Sequence, residues 1–241
     1  MAAECGTTEL FATPHTITGS WLPTWEVILQ QVSLLNQYAA DAHLDIVVYP
    51  GAEVAMDWGL LDLLPSPGQY CLGGGRFILV ELPLGSLPTY ADEFLFTLQA
   101  RDFVPILGHP ERNPDVKKDP ARLQPWIDAG ILVQMNASSL MGTMGSHTQQ
   151  AAMALLERGQ VHFIGSDAHG VGVRRPDLRE ASALLKKLLG SEGARQLLQK
   201  NPERLLRNQP DEIEVPRMLK RPKQGWAAKI RSMWRKKQSI L

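Results

Sequence analysis

Short apolar runs alternate with amphipathic stretches along the first 210 residues of this 241-residue chain, and no other feature narrows the fold as far. Compact runs rich in branched and aromatic side chains, separated by longer segments with apolar residues at helical spacing, are the pattern of βα units and a largely parallel sheet. Strands are expected at Glu9 to Thr13, Asp45 to Tyr49, Phe77 to Leu82, Val104 to Leu107, Leu132 to Asn136 and Val161 to Ile164. Helices are expected between them, at Thr24 to Ala40, Tyr90 to Ala100, Pro120 to Asp128, Gln149 to Arg158 and Arg179 to Leu189. A single α/β barrel takes roughly 200 to 250 residues, so one domain accounts for nearly the whole chain.

Local signals support these joints. Gly130 and Gly159 each follow a helix where a left-handed stop belongs. The run Gly73-Gly74-Gly75 is followed by neither a helix nor a GK[ST] signature, so it reads as a turn entering the strand at Phe77 and not as a phosphate loop. Met1 to Cys5 reads as the last turn of a helix running into the first strand. No internal repeat is present, which excludes solenoids and propellers.

Hydrophobic content of 44% and charged content of 21% set aside disorder and membrane burial as classes. No apolar run reaches about 18 residues and no secretion signal opens the chain. Two cysteines, Cys5 and Cys71, form no CxxC pair, which excludes a thiolate metal site and points to a reduced, cytoplasmic compartment. A formal net charge of zero conceals an asymmetry: residues 215 to 241 hold nine Lys or Arg and no acid, and the rest of the chain is acidic. The boundary is expected near Pro210, giving a domain at 1–210 and a basic tail at 211–241.

Four motifs sit at strand carboxyl ends, the edge where parallel α/β proteins place their chemistry. Ala12-Thr13-Pro14-His15 offers an imidazole, and Pro50-Gly51-Ala52-Glu53 a carboxylate able to bridge two cations. Gly108-His109-Pro110-Glu111-Arg112 adds an imidazole and a guanidinium whose fixed fork suits phosphate oxygens. Taken alone, this turn reads equally as a surface Glu111–Arg112 pair. Gly165-Ser166-Asp167-Ala168-His169 places an Asp and a His at alternate positions, able to serve one cluster. Each motif has an ordinary structural reading; five potential ligands at four strand ends together point to a metal centre built from nitrogen and oxygen, suited to Mn, Fe, Zn or Mg. Arg112, with Arg174 or Arg175, supplies charge for a phosphate. His43, His147 and His162 are assigned to structure or surface.

The ordered set ATPH, PGAEV, VELP, GHPERN and GSDAH resembles the polymerase and histidinol phosphatase (PHP) superfamily, and most closely its bacterial protein-tyrosine phosphatases of capsule and exopolysaccharide synthesis. The resemblance covers residues 1 to about 208. It implies a distorted (β/α)7 TIM-like barrel, a multinuclear metal cluster, with manganese expected and Fe, Zn, Co or Mg as alternatives, and hydrolysis of phosphotyrosine on an autophosphorylating tyrosine kinase. Under it, His15, Glu53, His109, Asp167 and His169 match metal ligands. Arg112 matches a phosphate-contacting arginine whose partner is Arg175, or Arg174 if the loop is aligned differently. The family also opens with a strand and an HxH motif, which this sequence does not contain; the barrel is therefore expected without its first strand and with one metal position incomplete. Two other readings remain at this point: a small-molecule phosphomonoesterase of histidinol-phosphatase type, and an impaired remnant acting as a binding module. The segment 217–237, with Trp226, Ile230, Met233 and Trp234 among its basic residues, is expected at an anionic membrane surface, which would make the protein peripheral to the inner face of the plasma membrane. Nucleic acid is not an expected partner.

Overall fold

The structure, a computed structural model, describes residues 1–172 and 174–219. Trp226, Ile230, Met233, Trp234 and the rest of the basic stretch beyond residue 219 lie outside the described residues.

The described residues form eight strands: β1 Glu9–Ala12, β2 His15–Thr16, β3 Val47–Pro50, β4 Glu53–Ala55, β5 Phe77–Glu81, β6 Val104–Gly108, β7 Leu132–Asn136 and β8 Phe163–Gly165. The pairings between these strands are parallel, as expected, with β1 on β3 and a six-stranded sheet in the order β2-β4-β5-β6-β7-β8. The two ladders are one pairing interrupted: Ala12 faces Pro50 and His15 faces Glu53, the same 38-residue offset. The interruption falls at Thr13-Pro14, where proline has no N–H for a ladder, and at Gly51-Ala52. Gly51 is needed there, because a Cβ would lie 2.7 Å from Leu72 Cδ2.

The helices are α1 Trp25–Asp41, α2 Ala91–Ala100, α3 Pro114–Lys118, α4 Gln124–Asp128, α5 Ala137–Met141, α6 Ser146–Glu157, α7 Arg179–Arg195 and α8 Asn201–Leu206. Thr24 caps α1 by accepting a hydrogen bond from the Val27 amide, and Ile28, Val32 and Ala39 form the buried face. Asn36 then completes the outer edge of β3: its Nδ2 donates to Val48 O and its Oδ1 accepts from Val48 N, both at 2.8 Å. The helix expected from Pro120 is split into a 3-10 turn, Pro120–Leu123, and α4. Regular α7 geometry breaks at Gly190, φ 78°, next to the expected end at Leu189. Gly130 and Gly159 are left-handed, at φ 89° and 68°. The expected turn before β5 is a short 3-10 element, Leu72–Gly74.

Strand alternation decides where chemistry can sit. Phe77, Leu79, Ile106, Leu132 and Phe163 share one face with Leu72 and Leu205 in a small core of their own. Ile78, Val80, Leu107, Val133, Met135 and Ile164 point the opposite way, into the large core under the helices. Following the first face toward the carboxyl ends, the apolar side chains give way to Glu53, Glu81, Gln134 and Asn136. Glu53 is the in-register partner of Leu79, and Glu81 lies two residues beyond it. Aromatic and aliphatic packing closes the amino end of that face, leaving its polar end for a site.

The body does not stop at Pro210. Asn201 Nδ2 donates to His162 O and to Glu214 O, each at 2.7 Å, and the Leu219 amide donates to Leu188 O at 3.0 Å. Residues 214 and 219, expected in the tail, therefore contact α8 and α7.

His162 is structural, as expected. Its Nδ1 accepts the Val133 amide at 3.0 Å, and burial lowers its pKa to about 4. Below the ordinary 6.5 the unfolded chain takes up a proton that folded His162 refuses until about pH 4, so stability is lost as pH falls through that window. Denaturant unfolding at pH 7 and at about pH 5 is expected to differ by about 2 kcal/mol from this group. His162→Gln should flatten the dependence, and an unchanged slope would show that the imidazole titrates normally.

Candidate active site

Three strand ends build the first half of the site. His15 opens β2, Glu53 opens β4 and Glu81 closes β5, and alternation turns all three to the polar end of the same face. His109 follows β6 directly in the left-handed region, φ 34°, a strained conformation that turns its ring back over the sheet. Gly108 makes room for this: a Cβ there would lie 3.0 Å from Glu53 Oε1.

The two carboxylates are bracketed by the two imidazoles. Glu53 places Oε1 2.8 Å from His109 Nε2 and Oε2 3.2 Å from His15 Nδ1. Glu81 repeats the arrangement with Oε1 3.6 Å from His109 Nε2 and Oε2 3.6 Å from His15 Nδ1. Glu53 and His109 are buried, at 4% and 3% exposure. Burial and the neighbouring Glu53 charge raise the Glu81 carboxyl above its ordinary range. Burial alone would depress His109, but the hydrogen bond and charge of Glu53 outweigh it and hold the imidazole above its usual pKa. His15 Nδ1 is buried without an aligned hydrogen-bond partner, although Glu53 stands close by. Ligand atoms of His15, Glu53 and Glu81 lie within 4.8 Å of one another. Carboxylate oxygens and an unpartnered imidazole nitrogen facing one small space form a donor set that fits a divalent cation.

The second half gathers on Asp167, two residues beyond β8 and also left-handed, φ 49°. Its Oδ2 accepts from Asn136 Nδ2 at 2.6 Å and from Arg174 Nη2, with Arg112 Nη1 3.5 Å away. Its Oδ1 faces His169 Nδ1 at 3.6 Å. The His169 and His15 rings, 5.9 Å apart between centroids, join the halves, and Arg112 Nη1 approaches His109 Nε2 at 3.4 Å. All five expected ligands, His15, Glu53, His109, Asp167 and His169, therefore lie together with Arg112.

The two loop arginines separate. Arg174 reaches Asp167, donating from Nε to its backbone oxygen at 3.2 Å as well. Arg175 turns outward, with Nε 3.8 Å from Asp177 Oδ2. Arg179, and Arg175 after it, hold the Asp177 carboxyl well below the usual range.

Three residues of the site were not among the expected ones. Glu81 carries the same signature as the four motifs, a carboxylate at a strand end, but the expected strand ran past it to Leu82. Asn136 ends β7 and has no charge to mark it. Glu111 is fully buried, so the surface-pair reading of its turn does not hold. Its Oε1 accepts the Asn136 amide at 3.0 Å, and burial pushes its carboxyl up. The Ser139 hydroxyl lies near enough to favour the carboxylate but is not aligned to bond it. His43, at the end of α1, and His147, in α6, are not among these contacts.

A parallel α/β chain whose strand ends deliver imidazoles and carboxylates beside two guanidiniums has the make-up of a metal- and phosphate-handling protein. The family model for capsular polysaccharide synthesis proteins CpsB/CapC matches residues 1–207, and the chain belongs to that family. It is 30% identical over 222 residues to the tyrosine-protein phosphatase YwqE of Bacillus subtilis, covering 92% of this chain and 87% of the relative. It is 23% identical over 209 residues to the tyrosine-protein phosphatase CpsB of Streptococcus pneumoniae, covering 85% and 86%. Among solved structures, the fold is similar to a chain from the crystal structures of YwqE from B. subtilis and CpsB from S. pneumoniae, described as unique metal-dependent tyrosine phosphatases. The TM-score is 0.82 at 30% identity, over 91% of this chain and 89% of that one.

Proposed function

We propose that this chain is a metal-dependent phosphatase acting on phosphotyrosine in proteins. The observation that carries the proposal is the pair Glu53 and Glu81, each bracketed by His15 and His109, with Arg112 and Arg174 gathered on Asp167 in the other half of the site. The names of the relatives, all tyrosine phosphatases, agree with it.

In this reading His15, Glu53, Glu81, His109, Asp167 and His169 hold divalent metal, with manganese the expected ion. The bound metal supplies Lewis-acid polarisation of the phosphoryl group and a nucleophile at neutral pH. Arg112 and Arg174, which converge on Asp167, offer charge-assisted hydrogen bonds to the phosphate oxygens. Their forks fix the phosphate's orientation and hold its charge as it redistributes toward the leaving oxygen. Glu53 and His109, almost without solvent contact, keep their half of the site dry and strengthen every charge interaction inside it.

The reading extends to architecture and setting. The parallel sheet is taken as an incomplete barrel of the PHP type, consistent with His15 and His169 meeting from its two edge strands. The substrate protein is taken to be an autophosphorylating tyrosine kinase of polysaccharide synthesis. The protein would then work in the cytoplasm at the inner face of the membrane, with basic residues 217–237 as the contact.

The test compares kcat/KM for a phosphotyrosine peptide with that for a small aliphatic phosphomonoester such as histidinol phosphate, at saturating manganese. The proposal expects the peptide to be preferred. Preference for the aliphatic ester would replace it with the small-molecule reading, and turnover of neither would remove the enzyme reading.

A further inference from the structure

Asn136 ends the one central strand that contributes no charged group to the site, yet it touches both halves. Its backbone amide donates to buried Glu111, in the same turn as His109 and Arg112, at 3.0 Å. Its side chain donates from Nδ2 to Asp167 Oδ2 at 2.6 Å. Its Oδ1 accepts from Gln134 Nε2 at 2.9 Å, and this fixes the amide's orientation, since a flip would turn the oxygen toward a carboxylate. Gly165 leaves room for the Gln134 amide, since a Cβ there would lie 2.5 Å from Gln134 Nε2. Asn136 itself has no solvent exposure.

Asp167 needs such a support. Its backbone is left-handed, φ 49°, and its carboxylate carries the convergence of Asn136, Arg112 and Arg174. Arg112 and Arg174 cannot be that support if they leave Asp167 for a phosphate. Asn136 is neutral, buried and already bonded on both sides, so it stays. It occupies Oδ2, and the other oxygen, Oδ1, faces His169 Nδ1 at 3.6 Å.

We infer that Asn136 is a positioning residue that presents Asp167 Oδ1 to the metal and ties the β6 turn to the β8 loop. The inference rests on the metal-centre reading above. Partners that orient a metal-binding side chain commonly account for about 10- to 100-fold in metal affinity.

The experiment is a manganese titration of the metal-stripped full chain, with free Mn2+ read by electron paramagnetic resonance. It uses the unsubstituted protein, Asn136→Ala, Asp167→Ala and the double variant. Asn136→Ala should weaken manganese binding by about 10- to 100-fold while leaving the Glu111 contact, which uses only the backbone. In the Asp167→Ala background the same substitution should change affinity by less than about twofold, because the side chain it positions is gone. Asn136→Leu, close in shape and unable to donate, takes the place of Asn136→Ala if truncation prevents folding. Affinity within about twofold of the unsubstituted chain, or an equal loss in both backgrounds, would overturn the inference while leaving the metal centre standing. Failure of the unsubstituted chain to bind manganese would overturn the metal centre and the inference together.

Discussion

Replacing Glu53 with alanine is expected to lower kcat/KM for a phosphotyrosine peptide by roughly a thousandfold or more. Among the described residues no other side chain contacts both imidazoles as closely: its two oxygens lie 2.8 Å from His109 Nε2 and 3.2 Å from His15 Nδ1. Truncation removes a charge from the cation site and strands a buried histidine whose raised pKa depends on that carboxylate. Glu53→Gln separates charge from packing, because it keeps the shape that Gly108 accommodates. It should lose nearly as much activity as Glu53→Ala while unfolding at a temperature close to that of the unsubstituted protein. A Glu53→Gln variant that retained more than about a tenth of the activity would place the chemistry elsewhere.

The second large effect separates two adjacent residues of one charge. Arg174→Ala should reduce kcat/KM by about a hundredfold, as expected when a phosphate loses one preorganised donor pair. Arg175→Ala should stay within about twofold, because its guanidinium lies on the outside of the loop with Asp177. Arg174→Lys should recover little, since a point charge cannot reproduce the fork. Equal losses at the two positions would mean that the loop rearranges when substrate binds and that the arrangement seen without it does not report the roles.

The parallel order was legible because each strand is a short apolar run and each helix has an apolar face, so local pattern and global fold agree. The breaks inside the first two strands were less legible. His15 and Glu53 were placed in loops, yet both resume the ladder after Pro14 and Gly51. A proline or glycine in a strand can mean an end or a bend, and only the partner strand decides which. The five charged or imidazole ligand candidates were readable only as a set, because each alone has an ordinary structural use while five at four strand ends share one edge of the sheet. Asn136 was not, since an uncharged amide acquires its meaning from three neighbours: Gln134 on its own strand, Glu111 in the turn after β6 and Asp167 in the loop after β8. Glu111 misled for the opposite reason: beside Arg112 in a turn between two prolines it looks solvated, and its burial comes with α6 and β7, which pack against that turn from later in the chain. The choice between Arg174 and Arg175 stayed open because adjacent residues in an irregular loop carry no periodicity.

The central claim is that the carboxylates and imidazoles of these strand ends hold the metal that makes the chain a phosphatase. The most direct measurement strips metal from the purified protein and follows phosphate release from a phosphotyrosine peptide as manganese is restored, with bound metal quantified on the same samples. Activity that is absent from the stripped protein and returns in proportion to bound manganese is the predicted result. Turnover that persists in the stripped protein, or manganese that binds without restoring it, would contradict the account.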